Sequence, residues 1–275
     1  RAVDNLIGQG YQEACNYSLR SSDELTSWFP EINQEDLALG NPLTADHTHI
    51  RASLLPGLVE VLAHNQKNLN DLNHLFEIGR VFQPGPRGNA ELISIAWVNT
   101  QANSRKNWKE EESSDFFSLK NSLERLLHAV GLNLPKGLWQ STEDQLPWQS
   151  GYAATLGDVH RNKLGIGLGT LSLNLTKKYD LKGAALAVEI LIDPVLLAKQ
   201  KKPNPFSSFS TFPPAIKDLS LVVEKTEPAE TVRKKVQEII HQKIADGISL
   251  NPVTIFDVFS GEGLPEDKKS IAFSL

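Results

Sequence analysis

The sequence predicts an α+β protein in two units: a long antiparallel sheet backed by helices over residues 1–200, and a β-α-β-β unit over residues 201–275. Three observations carry this. A length of 275 residues, at roughly 150 residues per domain, suggests two domains. Composition shifts at Lys199–Ser210, where Lys199-Gln200-Lys201-Lys202-Pro203-Asn204-Pro205 is polar and proline-punctuated and reads as a linker. On both sides of it, runs with the two-residue period of strands alternate with runs of helical period.

In order, Arg1–Tyr11 carries Val3, Leu6 and Ile7 at helical spacing and ends at Gly8 and Gly10. Ala14–Leu19 reads as a strand, and Ser22–Trp28 as a short helix capped by Ser21 or Ser22. Gly40-Asn41-Pro42 signals a loop. Ser53–Leu69 reads as a helix interrupted near its start by Pro56-Gly57, with Leu58, Val61, Leu62 and Asn65 on one face. Strands follow at Leu75–Phe82 and Leu92–Val98. The helix Asp115–Val130 aligns Phe116, Leu119, Leu123, Leu126 and Leu127 on one stripe. Tyr152–Leu156, Leu164–Leu171 and Ala185–Ile192 are three more strands.

After the linker, Asp218–Glu224 is a strand. Pro228–Ile244 is a helix with Val232, Val236, Ile239, Ile240 and Ile244 inward, and with Glu227 and Glu230 at its positive end. Val253–Phe259 and Ser270–Leu275 are strands. This is the first two-thirds of a ferredoxin-like βαββαβ unit. The closing helix and strand are absent, the chain opens at Arg1 inside a helical pattern, and it has no methionine, so it is expected to be a piece of a longer protein.

Composition excludes several function classes. The 28 Lys plus Arg against 33 Asp plus Glu give a net charge of -5. That argues against a dedicated nucleic-acid binder, though not against a local RNA contact. Cys15 is the single cysteine, so no internal disulfide forms, and its expected role is a small buried apolar side chain. The most apolar stretch, Ala184–Ala198, is interrupted by Glu189, Asp193 and Pro194 and is not expected to span a membrane. No secretory leader is visible at the start.

Catalytic patterns are sparse. His47 and His49 form a His-x-His with only Asp46 nearby and no third ligand at metal spacing. There is no Gly-x-Ser-x-Gly elbow, and Glu110-Glu111-Glu112 reads as a solvated run. Gly165-Ile166-Gly167-Leu168-Gly169 lacks the strand–turn–helix context of a dinucleotide fingerprint. It reads as a glycine-bearing strand that a neighbouring backbone or ligand approaches closely.

Three stretches together resemble one family. They are Asn41-Pro42-Leu43 with Arg51-Ala52-Ser53-Leu54-Leu55-Pro56-Gly57-Leu58; Leu75-Phe76-Glu77-Ile78-Gly79-Arg80-Val81-Phe82; and Phe212-Pro213-Pro214-Ala215-Ile216-Lys217-Asp218-Leu219-Ser220-Leu221 with Phe256-Asp257-Val258-Phe259 and Lys269-Ser270. Trp108, Asp115-Phe116-Phe117 with Leu119-Lys120, and Gly167-Leu168-Gly169 add to the match. The combination resembles the C-terminal part of the bacterial phenylalanyl-tRNA synthetase beta subunit over nearly the whole chain. The resemblance implies a class II synthetase-like sheet whose catalytic machinery has degenerated, followed by an incomplete ferredoxin-fold anticodon-binding domain. It implies an α2β2 heterotetramer in the cytoplasm that uses ATP and magnesium as a whole enzyme, with the active site for phenylalanine and ATP in the alpha subunit and tRNA(Phe) as a partner. Neither a membrane nor DNA is an expected partner, and no catalytic, cofactor or metal residue is expected in this chain.

The resemblance also permits a test. The second class II motif reads Glu-Ile-Gly-Arg-x-Phe-Arg-x-Glu; aligned on Glu77–Phe82, it places Gln83 at the arginine and Gly85 at the glutamate. The third, Gly-Leu-Gly-x-x-Arg, aligned on Gly167–Gly169, places Ser172 at the arginine. Both phosphate-clamping guanidinium groups are then missing, and neutral side chains do not replace that fork. Two readings remain for Glu77, Gly79, Arg80 and Phe82: core and sheet packing, or support of the alpha subunit. The expected alpha-subunit contacts are Arg51, Leu54, Leu55, Phe76, Glu77, Arg80 and Phe82, with Arg51 equally explicable as a structural helix-end charge. From Pro203 to Leu275, eight Lys plus Arg face ten Asp plus Glu, so generic attraction to RNA is weak. The tRNA-contact candidates are Lys217, Lys225, Arg233, Lys234, His241, Lys268 and Lys269. Phe206, Phe209 and Phe212 are stacking candidates whose default role is core packing. A stand-alone synthetase-like binding or regulatory protein is the alternative, and a self-sufficient enzyme a weaker third.

Overall fold

The structure, a computed structural model, describes residues 1–70, 72–85, 88–100, 116–143, 145–198, 215–244, 248, 250–261 and 263–275. The chain divides into two compact units, Arg1–Lys201 and Lys202–Leu275.

Unit 1 runs α1 (Ala2–Ile7), β1 (Gln12–Glu13), β2 (Leu19–Arg20), α2 (Ser22–Trp28), a 3-10 turn at Gln34–Asp36, β3 (His49–Ile50), α3 (Leu55–Lys67), β4 (His74–Gly85), β5 (Gly88–Thr100), α4 (Phe116–Val130), β6 (Gln140–Ser141), β7 (Trp148–Leu156), α5 (Val159–Asn162), β8 (Leu164–Leu171), α6 (Leu173–Lys178), β9 (Ala185–Ile192) and α7 (Pro194–Ala198). Among the described residues its main sheet has seven strands in the order β1-β4-β5-β9-β8-β7-β6. The expected antiparallel pairing holds except at the edge, where β1 runs parallel to β4.

Both faces of the sheet carry a core. On one, Leu119, Leu123, Leu126 and Leu127 of α4 and Leu6 of α1 meet Phe76, Trp97, Leu168, Val188 and Ile190. On the other, Leu25 and Trp28 of α2, Leu55, Leu58, Val59 and Leu62 of α3 and Leu175 of α6 meet Leu75, Val81, Ala96, Val98 and Ala187. A strand covered on both faces loses its polar alternation, which is why Leu92–Val98 and Ala185–Ile192 read as nearly continuous apolar runs.

The structure corrects several boundaries. Of the expected strand Ala14–Leu19, only Leu19 is in a strand, as the first residue of β2. The backbone groups there are met one by one: Ala14 N–H donates to the Phe76 carbonyl, and Arg51 donates to the Ser18 and Asn16 carbonyls. Cys15 is exposed, not buried. Ser21 is the cap of α2, its Oγ accepting from Glu24 N–H. Pro56 does not interrupt α3 but lies in its first turn, where proline's missing N–H costs no hydrogen bond. The buried stripe of α3 is Leu55, Leu58, Leu62 and Gln66; Val61 and Asn65 are only half-buried. The strand reading of Leu164–Leu171 holds, with Gly167 and Gly169 inside β8. Glu110–Glu112, Trp108, Asp115 and the linker phenylalanines lie outside the described residues.

Unit 2 is β10 (Asp218–Glu224), α8 (Ala229–Lys243), β11 (Thr254–Phe259) and β12 (Lys268–Ser274), an antiparallel sheet in the order β10-β12-β11. Ile271 and Phe273 of β12 are buried against Val232 and Val236 of α8, with Leu219, Leu221, Val223 and Ile240 packed around them. Ile239 is 54% exposed rather than inward, because Val232, Val236 and Ile240 already form the i, i+4 row that faces the sheet.

Close packing on β8 gives a test. A Cβ at Gly167 would overlap the six-membered ring of Trp148. Gly167→Ala is expected to lower stability by about 1–3 kcal/mol in urea unfolding through this overpacking.

Candidate functional site

Unit 1 places the buried charged residues Arg51, Glu77 and Glu189 on one face of the sheet, near the start of α3. Arg51 and Glu77 are the innermost pair, 8% and 3% exposed. Arg51 Nη1 donates to Glu77 Oε1 at 2.6 Å and to the Asn16 carbonyl at 3.4 Å, and Nε donates to the Arg80 carbonyl at 2.9 Å. Asn16 Nδ2 donates to the other Glu77 oxygen at 2.7 Å. The guanidinium lies across Gly79, where a Cβ would overlap Arg51 Nη2. The Glu-Ile-Gly-Arg run thereby acquires a physical meaning. Glu77 supplies the counter-ion, Gly79 the space, and Arg80 a backbone acceptor.

Two strands across, Glu189 of β9 is a second buried carboxylate. Ser53 Oγ donates to its Oε2 at 2.7 Å; Leu54 N–H and Ser94 Oγ donate to its Oε1 at 3.0 and 2.8 Å. Ser53 Oγ also accepts from Leu55 N–H at 3.0 Å, so the start of α3 is anchored to the sheet through Glu189. Burial, the largest influence, raises the Glu189 pKa, against lowering by the Leu54, Ser53 and Ser94 hydrogen bonds and by Arg51. The sequence showed Glu189 only as a lone acid in an apolar run, which was its one signal; Ser53, Ser94 and Asn16 carried none.

The two positions aligned with motif arginines are spent on internal contacts. Gln83 is half-buried and donates from Nε2 to the Ala52 carbonyl at 3.4 Å. Ser172 is buried at the start of α6, its N–H bonded to the Pro147 carbonyl at 2.9 Å. Above Gly167 the sheet face is covered by Trp148. The arrangement holds elements together and leaves no cationic cradle there among the described residues.

Several of the expected alpha-subunit contacts are buried within this chain. Leu54, Leu55, Phe76 and Glu77 are interior, and Arg51 is nearly so, because they pack against this chain's own sheet and helices. Arg80 is exposed and ion-paired with Glu91 of the neighbouring strand; Phe82 is half-buried against the core. His47 and His49 have separate surroundings. His49 is buried, with Nδ1 2.8 Å from Thr48 Oγ1, and the His47 ring lies 5.4 Å from that of Tyr17.

In unit 2 the basic candidates fall into separate groups. Lys225, Lys268 and Lys269 converge at one end of the β10–β12 pair: Lys268 pairs with Glu224, which raises its pKa, and Lys269 Nζ donates to the Lys225 carbonyl at 2.9 Å. Lys217 lies at the other end of β10, paired through its backbone with Leu275 and roughly 25 Å away at the rise of a strand. Arg233 is engaged on all sides, donating to both Glu230 oxygens at 2.8 Å and to the Val253 carbonyl at 3.2 Å. It clips α8 to the chain entering β11 and is not presented as an open cation. Lys234 lies 4.0 Å from Glu230, and the exposed His241 ring lies 3.1 Å from Gln237.

Removing one member of a buried ion pair strands the other. Arg51→Met is expected to lower stability by about 3–5 kcal/mol in denaturant titration, with the Arg51→Met/Glu77→Met double variant milder than the single. Glu189 predicts a pH dependence. Its raised pKa means that the folded state holds the proton more tightly, so its contribution is fully present below the ordinary value of 4.5 and is lost as pH rises toward the raised value. The stability difference between wild type and Glu189→Gln should therefore shift against wild type as pH rises from 4.5, measured by urea unfolding.

Comparison with known proteins agrees with this anatomy. Residues 1–192 match the family described as the phenylalanyl tRNA synthetase beta chain CLM domain, and residues 210–275 match the ferredoxin-fold anticodon binding domain. Phenylalanine–tRNA ligase beta subunits from Pasteurella multocida and a Bacillus cereus strain are 31% and 29% identical, over 98% of this chain but 33% and 32% of their own length. That from Vibrio cholerae is 28% identical over 100% of this chain and 33% of its own. The chain thus spans about a third of the length of these relatives. Among solved structures, a pyrrolysyl-tRNA synthetase from Desulfitobacterium hafniense superposes with a TM-score of 0.51 at 14% identity, covering 72% of this chain and 66% of its own; this is a likeness of fold.

Proposed function

The chain belongs to the phenylalanyl-tRNA synthetase beta chain family, and from that premise we propose that it is a non-catalytic part of a phenylalanine–tRNA ligase, bracing an alpha subunit and contributing to tRNA binding. One observation carries the non-catalytic reading. The sheet face that a class II synthetase would give to its substrates is filled by this chain's own groups: Arg51 across Gly79, the start of α3 on Glu189, and Trp148 on Gly167. Activating an amino acid develops negative charge on phosphates, which needs guanidinium groups in a partly desolvated site. Gln83 and Ser172 supply no cationic group for a triphosphate, so ATP is assigned to the alpha subunit of an α2β2 complex, with magnesium used by the whole enzyme.

The tRNA role is assigned to unit 2. Lys225, Lys268 and Lys269 are the favoured phosphate contacts, with Lys217, Lys234 and His241 as separate candidates. Arg233 is a structural clip between α8 and Val253. With a net charge of -2 over Pro203–Leu275, this unit alone binds tRNA weakly, and affinity comes from the assembled enzyme. Among the described residues no helix is long and apolar enough to cross a membrane, and a cytoplasmic complex is the setting proposed.

The chain on its own is expected to show no ATP–pyrophosphate exchange with phenylalanine, and to co-purify with a co-expressed synthetase alpha subunit. Exchange above the no-protein background refutes the non-catalytic reading. Elution of the two chains as separate species refutes the bracing role and favours a stand-alone binding protein.

A further inference from the structure

On the sheet face that packs against α1 and α4, two buried polar atoms have no hydrogen-bond partner among the described residues. They are the Trp97 indole Nε1 and the Asn99 carboxamide Oδ1. Trp97 is fully buried and Asn99 is 4% exposed. They stand two residues apart on β5, so their side chains leave the same face, from Cα atoms about 7 Å apart. The side chains opposite them do not supply partners. Trp97 is flanked by Phe76 of β4 and Val188 of β9, both apolar. Asn99 is flanked by Leu186 of β9 and by His74 of β4, whose ring stands edge-on to that of Tyr11 at 5.5 Å. The Tyr11 ring also lies 6.4 Å from that of Trp97, which gathers the four side chains at one end of the sheet.

Native interiors pair nearly every buried polar atom, through protein groups or ordered water. The demands of these two atoms are complementary. The indole N–H needs an acceptor, and the carboxamide oxygen needs a donor. A cation would satisfy only Asn99, and an anion only Trp97. The surroundings are uncharged as well: burial raises the Tyr11 pKa and lowers that of His74, so both are neutral at neutral pH. The ligand must therefore be neutral and both donate and accept, and water is the smallest molecule that does so. Hydrogen bonds of about 2.9 and 2.8 Å to one oxygen span up to about 5.7 Å, a gap that suits two side chains rising side by side. Trp97, Asn99 and Tyr11, the last 6% exposed, shield the place from solvent, against entry of a larger ligand.

We propose that one ordered water is bound here as part of the fold, accepting from Trp97 Nε1–H and donating to Asn99 Oδ1. The test is NMR of the 275-residue chain in water. The Trp97 indole proton, identified by its NOEs to the Tyr11 ring, is expected to show a rotating-frame NOE to a long-lived water, separated by its sign from chemical exchange. Asn99→Leu removes the acceptor and is expected to abolish this contact while the Tyr11 NOEs persist. A crystal structure of the wild type gives a reading that does not depend on the variant folding: one water within about 3.2 Å of both atoms is expected. An indole proton without a water contact, a contact undiminished in folded Asn99→Leu, or a crystal structure in which either atom bonds directly to protein would each overturn the assignment.

Discussion

The Arg51–Glu77 ion pair ties together the irregular stretch after β1, the approach to α3 and the middle of β4. From one buried guanidinium, hydrogen bonds reach the irregular stretch around Asn16, the Glu77 carboxylate and the Arg80 carbonyl; the Arg51 backbone carbonyl accepts from Phe82 N–H. Taking two charges out of water costs several kcal/mol each and is recovered only when the remaining donors and acceptors are met. Here they are met by backbone and by Asn16. Gly79 is the steric condition for the pair, since no other residue leaves room for the guanidinium. The conformations of residues 14–18, of the approach to α3 and of the middle of β4 are therefore set jointly.

Glu189 repeats the device on the neighbouring part of the same face, fastening the first turn of α3 through Ser53 and Leu54. With Trp148 over Gly167, the face becomes an interior. The face thus serves as a packing surface for the chain's own helices.

Unit 2 applies a similar economy to its cations. Arg233 and Gln237 both hold the backbone of Val253, by its carbonyl and its N–H, which fixes α8 against the strand that follows. Basic residues on a helix therefore do not all count toward an RNA surface. The cluster formed by Lys225, Lys268 and Lys269 arises instead from strand pairing, which brings residues 44 positions apart in sequence to one end of the sheet.

Periodicity alone located the elements: the bounds of Leu164–Leu171, Ala185–Ile192 and Asp218–Glu224, and the leucine stripe of α4, follow from local apolar spacing, which reports on which side of an element is buried. That positions 83 and 172 carry the neutral residues Gln83 and Ser172 is read from residue identity alone. Glu189 with Ser53 and Ser94, the passage of Arg51 over Gly79, the exposure of Cys15 and the internal use of Arg233 were not. Each is a meeting of side chains from segments far apart in sequence, and a sequence specifies such partners only through the fold that brings them within hydrogen-bonding distance.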